Sequence, residues 1–356
     1  MVSSMALKRP SPPYRAALIG CGRVAWMLED DPLEKKPCTH MGAYMELARM
    51  GRVEVTAASD SDPARLREFG QRYGVERLYL DYREMLSQEA PQIVSICAYA
   101  PERSEMVRDA TRAGAKGIWC EKALATSLEE GRAIIEAAES SGTQMVVSHM
   151  RRWSGDYARA KEIIDDGGIG TLQSITSHFS GSFIHTGTHA FDVLRWLAGE
   201  IEWIEGTLED STGSLPWDVA DDRGGRAFIK FKNGAHGAVF AESKGYFFFE
   251  FDIIGSHGRI RIGNNDLLEY YRPSPSRHYT GFKELYMVEF PEYENGNIWT
   301  GALTNLLDAV EGRAVSRNGP RDALAALEAA LAIHESHRRR ERVYLPLESR
   351  LKIRSR

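Results

Sequence analysis

Three short stretches of this chain carry the residue types that could handle a dinucleotide and a proton. They are the glycine turn Gly20-Cys21-Gly22-Arg23-Val24-Ala25, the pair Glu121-Lys122 at the end of an apolar run, and His185-Thr186-Gly187-Thr188-His189-Ala190-Phe191-Asp192. A G-x-G-x-x-A turn that follows a strand and opens a helix can hold a pyrophosphate: Gly20 permits the tight bend, Gly22 admits the phosphates, and Ala25 allows close packing. The helix N-terminus then favours the negative charge. Oxidising a secondary alcohol further needs a group that takes the hydroxyl proton and one that steadies the oxygen, tasks suited to a histidine and a lysine. Each stretch alone is a weak signal, and their order along the chain strengthens all three.

His185 and His189 are four residues apart and could share a helix face, with Asp192 near one turn further on. Such a pair could bind a metal, but no HExxH pattern or third ligand accompanies it, so no metal is expected. Asp60 closes the second apolar run, where a carboxylate accepts hydrogen bonds from ribose hydroxyls and repels a 2'-phosphate. It favours NAD over NADP; Asp62 is the better cap for a helix from Pro63. From Gly20 to Asp60 the chain runs 40 residues, about twice the usual interval. The stretch from Glu29 to Pro37 looks like the insertion, read as a surface loop in preference to a flap over the nicotinamide.

These groups need a frame. Apolar runs at Ala16–Ile19, Val53–Ala58, Ile93–Cys97, Gly117–Cys120 and Gln144–Val147 alternate with helical patterns near Gly42–Met50, Pro63–Tyr73, Glu102–Ala113 and Leu128–Ser141. That alternation predicts an α/β doubly wound parallel sheet over residues 14–149, after a flexible tail of residues 1–13. Residues 150–356 change texture to alternating runs, with an Asn233-Gly234 hairpin between Gly225–Lys232 and Ala235–Ser243 and a further run at Tyr246–Ile254. An open, mainly antiparallel sheet is expected there, with helices over Trp299–Glu311 and Arg321–His337 covering one face. The uncovered face is the expected interface of a homodimer or homotetramer.

Composition narrows the classes. A chain of 356 residues with 43% hydrophobic residues has length for two cores. No apolar run is long enough to span a bilayer and the first residues lack a secretory core, so a cytoplasmic protein with no membrane partner is expected. Cys21, Cys38, Cys97 and Cys120 show no metal spacing and read as reduced thiols. The net charge of -5 argues against nucleic-acid binding, and Arg338-Arg339-Arg340, flanked by Glu335 and Glu341, reads as a solvated helix face.

Almost end to end, the chain resembles the glucose-fructose oxidoreductase and inositol dehydrogenase (Gfo/Idh/MocA) family. The resemblance rests on the glycine turn, Cys120-Glu121-Lys122, Arg151-Arg152, Ile169-Gly170, Gly187-x-His189-x-x-Asp192 and the closing Val343-Tyr344-Leu345-Pro346-Leu347. It implies an NAD-dependent dehydrogenase or reductase of a sugar, polyol or sugar derivative. Lys122 and His189 would match the family's catalytic pair, with His185 a further catalytic candidate, Glu121 and Lys122 beside the cofactor, and Asp192 holding the imidazole or the helix. A pocket lined by Lys122, Tyr99, Arg152, His185 and His189 would face the nicotinamide, with Asp192 also among the substrate-binding residues and Ala98 and Tyr99 on the cofactor side. Two alternatives stay open: an NAD-dependent glycoside hydrolase, and a sensor that binds nucleotide and sugar without turnover.

Three departures from the family pattern bear on the site. Ala123 stands where the family usually has a proline, often in a cis bond that aims the lysine. His185 stands where the family often has an aspartate, which removes a negative charge and, with Arg152 nearby, would suit a substrate bearing a carboxylate. In the loop from Ala98 to Arg103 the usual Thr-Pro is replaced, leaving Tyr99 either to stack near the substrate or to pack.

Overall fold

The computed structural model of the chain describes residues 13–210, 219–242 and 245–354, so the tail expected over residues 1–13 lies, but for its last residue, outside the described residues. Two sheets organise the molecule. The first holds β1 (Tyr14–Ile19), β2 (Val53–Ser59), β3 (Arg77–Tyr79), β4 (Ile93–Ile96), β5 (Gly117–Cys120) and β6 (Gln144–Val147) in the order β3-β2-β1-β4-β5-β6. All its pairs are parallel. Helices α1 (His40–Arg49), α2 (Pro63–Tyr73), α3 (Tyr82–Glu89), α4 (Ala100–Arg112) and α5 (Leu128–Ser141) connect them. Every residue of β4 and β5 is buried, as expected where both faces of a parallel sheet are covered.

Local chemistry sets the helix ends. Asp62 accepts from the backbone N–H groups of Ala64 and Arg65 at 2.9 and 3.2 Å, and Pro63 follows it at the first helical position. This is the cap read from the sequence. Gly74, at φ 68°, closes the same helix in the left-handed conformation. Strand β3 and helix α3 were not expected; three half-exposed residues and an eight-residue helix leave too little periodicity to read.

The second half contains α6 (Gly155–Asp165), β7 (Leu172–Ser180), α7 (Gly187–Ala198), β8 (Ile201–Leu208), β9 (Val219–Asp221), β10 (Gly225–Phe231), β11 (His236–Glu242), β12 (Phe249–Gly255), β13 (Gly258–Gly263), β14 (Leu268–Pro275) and β15 (Lys283–Val288). It closes with α8 (Ile298–Val310), α9 (Pro320–Arg339), β16 (Val343–Tyr344) and β17 (Lys352–Arg354). Nine strands form one sheet in the order β15-β14-β13-β12-β7-β11-β10-β8-β16. It is antiparallel except between β7 and β11. The Asn233-Gly234 turn joins β10 to β11.

One helix is not where the sequence reading put it. Helices α7 and α9 cover the second sheet, but α8 packs against α1, β5 and β6 of the first. Its Leu303, Leu306 and Leu307 share a core with Leu18, Trp119 and Val146, and Arg52 ties it further through Asp308 at 2.8 Å. An apolar stripe reports that a helix is half-buried; it does not report against which sheet.

Candidate active site

The glycine turn leaves β1 at the carboxyl edge of the first sheet, where open α/β folds bind ligands. Gly20 has φ +90°, and a Cβ there would stand 3.1 Å from the backbone of Cys97 and Ala98, so only glycine fits. Next to it, Cys21 N–H donates to Asp60 Oδ2 at 2.7 Å. Asp60 is thereby held at the mouth of the turn, where a ribose would lie.

The turn does not open a helix directly, contrary to expectation. Residues 26–39 loop out, including a 3-10 turn at Met27–Asp30, and α1 begins at His40. Yet the N–H groups of His40 and Met41 donate to the carbonyls of Val24 and Ala25 at 3.2 and 2.8 Å. The glycine turn therefore serves as the missing first turn of α1. Among the described residues the N–H groups of Gly22, Arg23 and Val24 have no partner, and a Cβ on Gly22 would meet nothing within 4 Å. Consecutive free N–H groups in an open turn form an anion cradle, which fits the pyrophosphate of a dinucleotide.

The excursion itself is tied down on the surface. Asp30 pairs with Arg72 at 2.5 Å, the Pro37 carbonyl accepts from Asn297 at 2.8 Å, and Leu33 is 94% exposed.

Lys122 follows β5, and its Nζ donates to the carbonyl of His185 at 2.8 Å. The Lys122–Ala123 peptide bond is cis, so the geometry that the family builds with proline is kept with alanine. Arg103, buried and missed in the sequence, joins the two loops at this edge by donating to the carbonyls of Ala98 and Ala123. Burial, together with the charges of Arg103 and Arg151, holds Lys122 below its ordinary pKa against the opposing pull of Glu121 and Asp222.

Glu121 does not face the cofactor side as expected. Its carboxylate is buried and bonds His40 Nε2 at 3.1 Å, while His40 Nδ1 meets Ser95 Oγ, which also bonds Tyr44. His40 lies over Trp119 with ring centroids 3.8 Å apart. Burial alone would raise the Glu121 pKa, but the His40 bond and neighbouring cations bring it below the ordinary range. Glu121 thus braces the floor under Lys122. No motif announces His40, Ser95 or Tyr44.

Helix α7 begins at Gly187, so His185 lies in the turn before it and does not share a helix face with His189. His185 is exposed, and the charge of Lys122, then burial, lowers its pKa. On α7, His189 is partly buried. Its Nδ1 is sealed from solvent without a partner, which leaves Nε2 as the nitrogen open to the cleft. Burial first, then the charges of Lys122, Arg151, His149 and His185, hold its pKa well below the usual histidine range. The structure therefore brings Lys122, His185 and His189 to one place.

Arg152 and Asp192 belong elsewhere. They form a buried two-bond ion pair, Nε to Oδ2 at 2.8 Å and Nη2 to Oδ1 at 2.9 Å, and Asn318 adds a bond to Oδ1 at 2.9 Å. Asp192 thus holds Arg152 rather than His189, and Arg152 is not available to a substrate carboxylate. Its neighbour Arg151 is the arginine at the cleft, 3.5 Å over the Phe249 ring and bonded to Asn264 at 3.1 Å. No salt bridge joins Arg151 to any described carboxylate. Tyr99, at the N-terminus of α4, is 75% exposed, which rules out the packing role.

Sequence reading also missed Asp222. Its carboxylate accepts from Ser182 Oγ at 2.5 Å and from the N–H groups of Ile184 and His185 at 2.8 Å each. Burial raises its pKa in spite of those bonds. It fixes the backbone N–H of His185, the residue whose carbonyl holds Lys122. The negative charge absent from position 185 thus enters from the segment after β9.

Comparisons with known proteins agree with this architecture. Residues 14–149 match the profile of the oxidoreductase family with an NAD-binding Rossmann fold, and residues 157–261 match the GFO/IDH/MocA C-terminal domain. The chain belongs to the Gfo/Idh/MocA family. It is 32% identical over 205 residues to a D-apiose dehydrogenase of Paraburkholderia graminis, covering 53% of this chain and 50% of that protein. With an inositol 2-dehydrogenase of Burkholderia ambifaria it shares 32% over 165 residues, 43% and 49% of the two chains. The alignments span about half the length of these curated relatives. Among solved structures, the WlbA dehydrogenase of Bordetella pertussis with NADH and UDP-GlcNAcA superposes with TM-score 0.75 at 20% identity, over 94% of this chain and 100% of that one. Levoglucosan dehydrogenase with NADH and levoglucosan gives 0.78 at 20% identity, over 94% and 99%. These two likenesses are of fold.

Proposed function

We propose that the chain is an NAD-dependent dehydrogenase or reductase acting on a secondary alcohol of a sugar, polyol or sugar derivative. The observation that carries this reading is the convergence of Lys122, His185 and His189 beside the glycine turn. NAD, when bound, supplies the hydride acceptor. The free N–H groups of Gly22, Arg23 and Val24 hold the pyrophosphate, and Asp60 receives the ribose hydroxyls. Lys122, oriented by the His185 carbonyl, and His189, through Nε2, share the handling of the substrate hydroxyl and its proton. Arg151 is the cation placed to meet an acidic substituent, the role first given to Arg152.

The uncovered face of the second sheet carries Phe228, 66% exposed, and a stacked His178–Phe240 pair with centroids 4.7 Å apart. These support its use as the surface of a homodimer or homotetramer. Four unpaired thiols suit the cytoplasm.

The test is to mix purified protein with NAD and a panel of polyols, neutral sugars and sugar acids, and to follow nicotinamide absorbance. At least one member should be oxidised. Lys122→Ala and His189→Ala should then each lower turnover by roughly 10²- to 10⁴-fold with little change in NAD affinity. Unchanged turnover in both variants would overturn the assignment.

A further inference from the structure

Behind His189 lies a second histidine that the site as described does not use. His149 follows β6, is buried, and packs edge-on against His189 with ring centroids 5.4 Å apart and planes at 75°. The protonation pattern of this pair can be worked out from its neighbours. Arg152 binds both oxygens of Asp192, which makes Asp192 an ionised, acceptor-only group. Asn318 reaches Asp192 Oδ1 at 2.9 Å, so its amide must present NH2 there and not the carbonyl oxygen.

The same NH2 stands 3.1 Å from His149 Nδ1. That nitrogen must therefore accept, and a neutral His149 carries its proton on Nε2. Burial, which depresses the pKa of His149, favours the neutral ring.

His149 Nε2 and His189 Nδ1 are both sealed from solvent and both lack a partner. They belong to adjacent rings. On adjacent rings, a buried N–H without an acceptor and a buried ring nitrogen without a donor can satisfy each other, directly after a small ring rotation or through one enclosed water. His189 Nδ1 is then the acceptor. Its own proton must sit on Nε2, the nitrogen that faces the cleft.

We propose that His149 is a positioning residue that locks neutral His189 as its Nε2–H tautomer, so that His189 donates a hydrogen bond to the substrate oxygen and Lys122 exchanges the proton. This rests on the dehydrogenase reading above and divides the labour within it. During oxidation the O–H bond breaks and the proton forms a new N–H bond on the neutral amine of Lys122. His189 keeps its proton throughout and stabilises charge on the oxygen, as a neutral imidazole can. The path of the hydride is untouched.

Histidine-selective ¹⁵N labelling and long-range ¹H–¹⁵N correlation at neutral pH test this without any substrate, with the His189 signals identified by their loss in His189→Asn. Neutral Nε2–H signals for His189 are expected. In His149→Phe they should shift towards the Nδ1–H tautomer or a mixture, while His149→Gln, whose amide can still donate, should retain them. An Nδ1–H or doubly protonated His189 in the unaltered protein overturns the proposal, as does a tautomer unaffected by His149→Phe. If His149→Phe does not fold, the unaltered protein and His149→Gln decide by the same criteria. Because the readout needs no turnover, a substrate panel that gives no activity would count against the dehydrogenase reading alone.

Discussion

The side-chain nitrogen of Lys122 and the backbone carbonyl of His185 are joined by a 2.8 Å hydrogen bond that crosses from the first sheet to the turn before α7. This bond aims the lysine from the far side, and Asp222 holds its acceptor still. The lysine is thus positioned by two segments that no local pattern connects.

Asp222→Asn should keep the fold and lower turnover by roughly 10- to 100-fold, because small misplacement of a reacting group costs that much. Steady-state kinetics with NAD binding measured in parallel checks it. Full activity would show that the turn holds its shape without the carboxylate.

The adjacent arginines should separate cleanly. Arg152→Ala leaves Asp192 charged and buried without its partner, a loss of about 3–5 kcal/mol, visible as a large fall in Tm. Arg151→Ala should leave Tm nearly unchanged while raising KM for acidic substrates more than for neutral ones. Equal effects of Arg151→Ala on both substrate classes would remove its proposed role.

Gly22→Val tests the anion cradle. The space beside Gly22 is empty, so the variant should fold normally and lose NAD affinity by about tenfold or more as the branched side chain occupies the phosphate position. Calorimetric titration with NAD reads this directly. Undiminished affinity would place the pyrophosphate elsewhere.

Stability should fall on mild acidification. His334 is buried with both ring nitrogens unpartnered, and burial brings its pKa down to about 3. The unfolded chain binds this proton near pH 6.5, so stability is complete above that value and declines as pH falls towards 3. At pH 5 the loss is ~2 kcal/mol from this group. His149 and His189 add to it with the same sign. His334→Leu should flatten the fall in Tm between pH 7 and pH 5; an unaltered slope would assign it to other groups.

What the sequence revealed and what it hid divide along a physical line. Helices α2 and α5 are legible to the residue because Asp62, Pro63 and Ser127 cap them and Gly74 and Gly142 end them, all through contacts a few residues apart. Lys122 and His189 stand out because motif spacing marks them. Long-range pairing leaves no such trace: Arg152 and Asp192 looked like pocket residues since each lies in a motif, yet they are 40 positions apart and saturate one another. Asp222, Arg103 and His40 act through backbone groups or buried partners distant in sequence, and helix α8 carries the same apolar stripe whichever sheet it meets. Here local chemistry was readable and tertiary pairing was not.

The carbonyls of Val24 and Ala25 continue into α1 across the excursion of residues 26–39. Both ends of that excursion are clamped to one helical register, and Trp26 within it donates to the Cys21 carbonyl at 2.8 Å, so it is the exposed stretch 32–36 that can grow or shrink without disturbing the phosphate-facing amides. This is a ready-made splice point: a place where foreign sequence could be grafted, or length could drift over evolution, while the ligand-binding edge stays as it is.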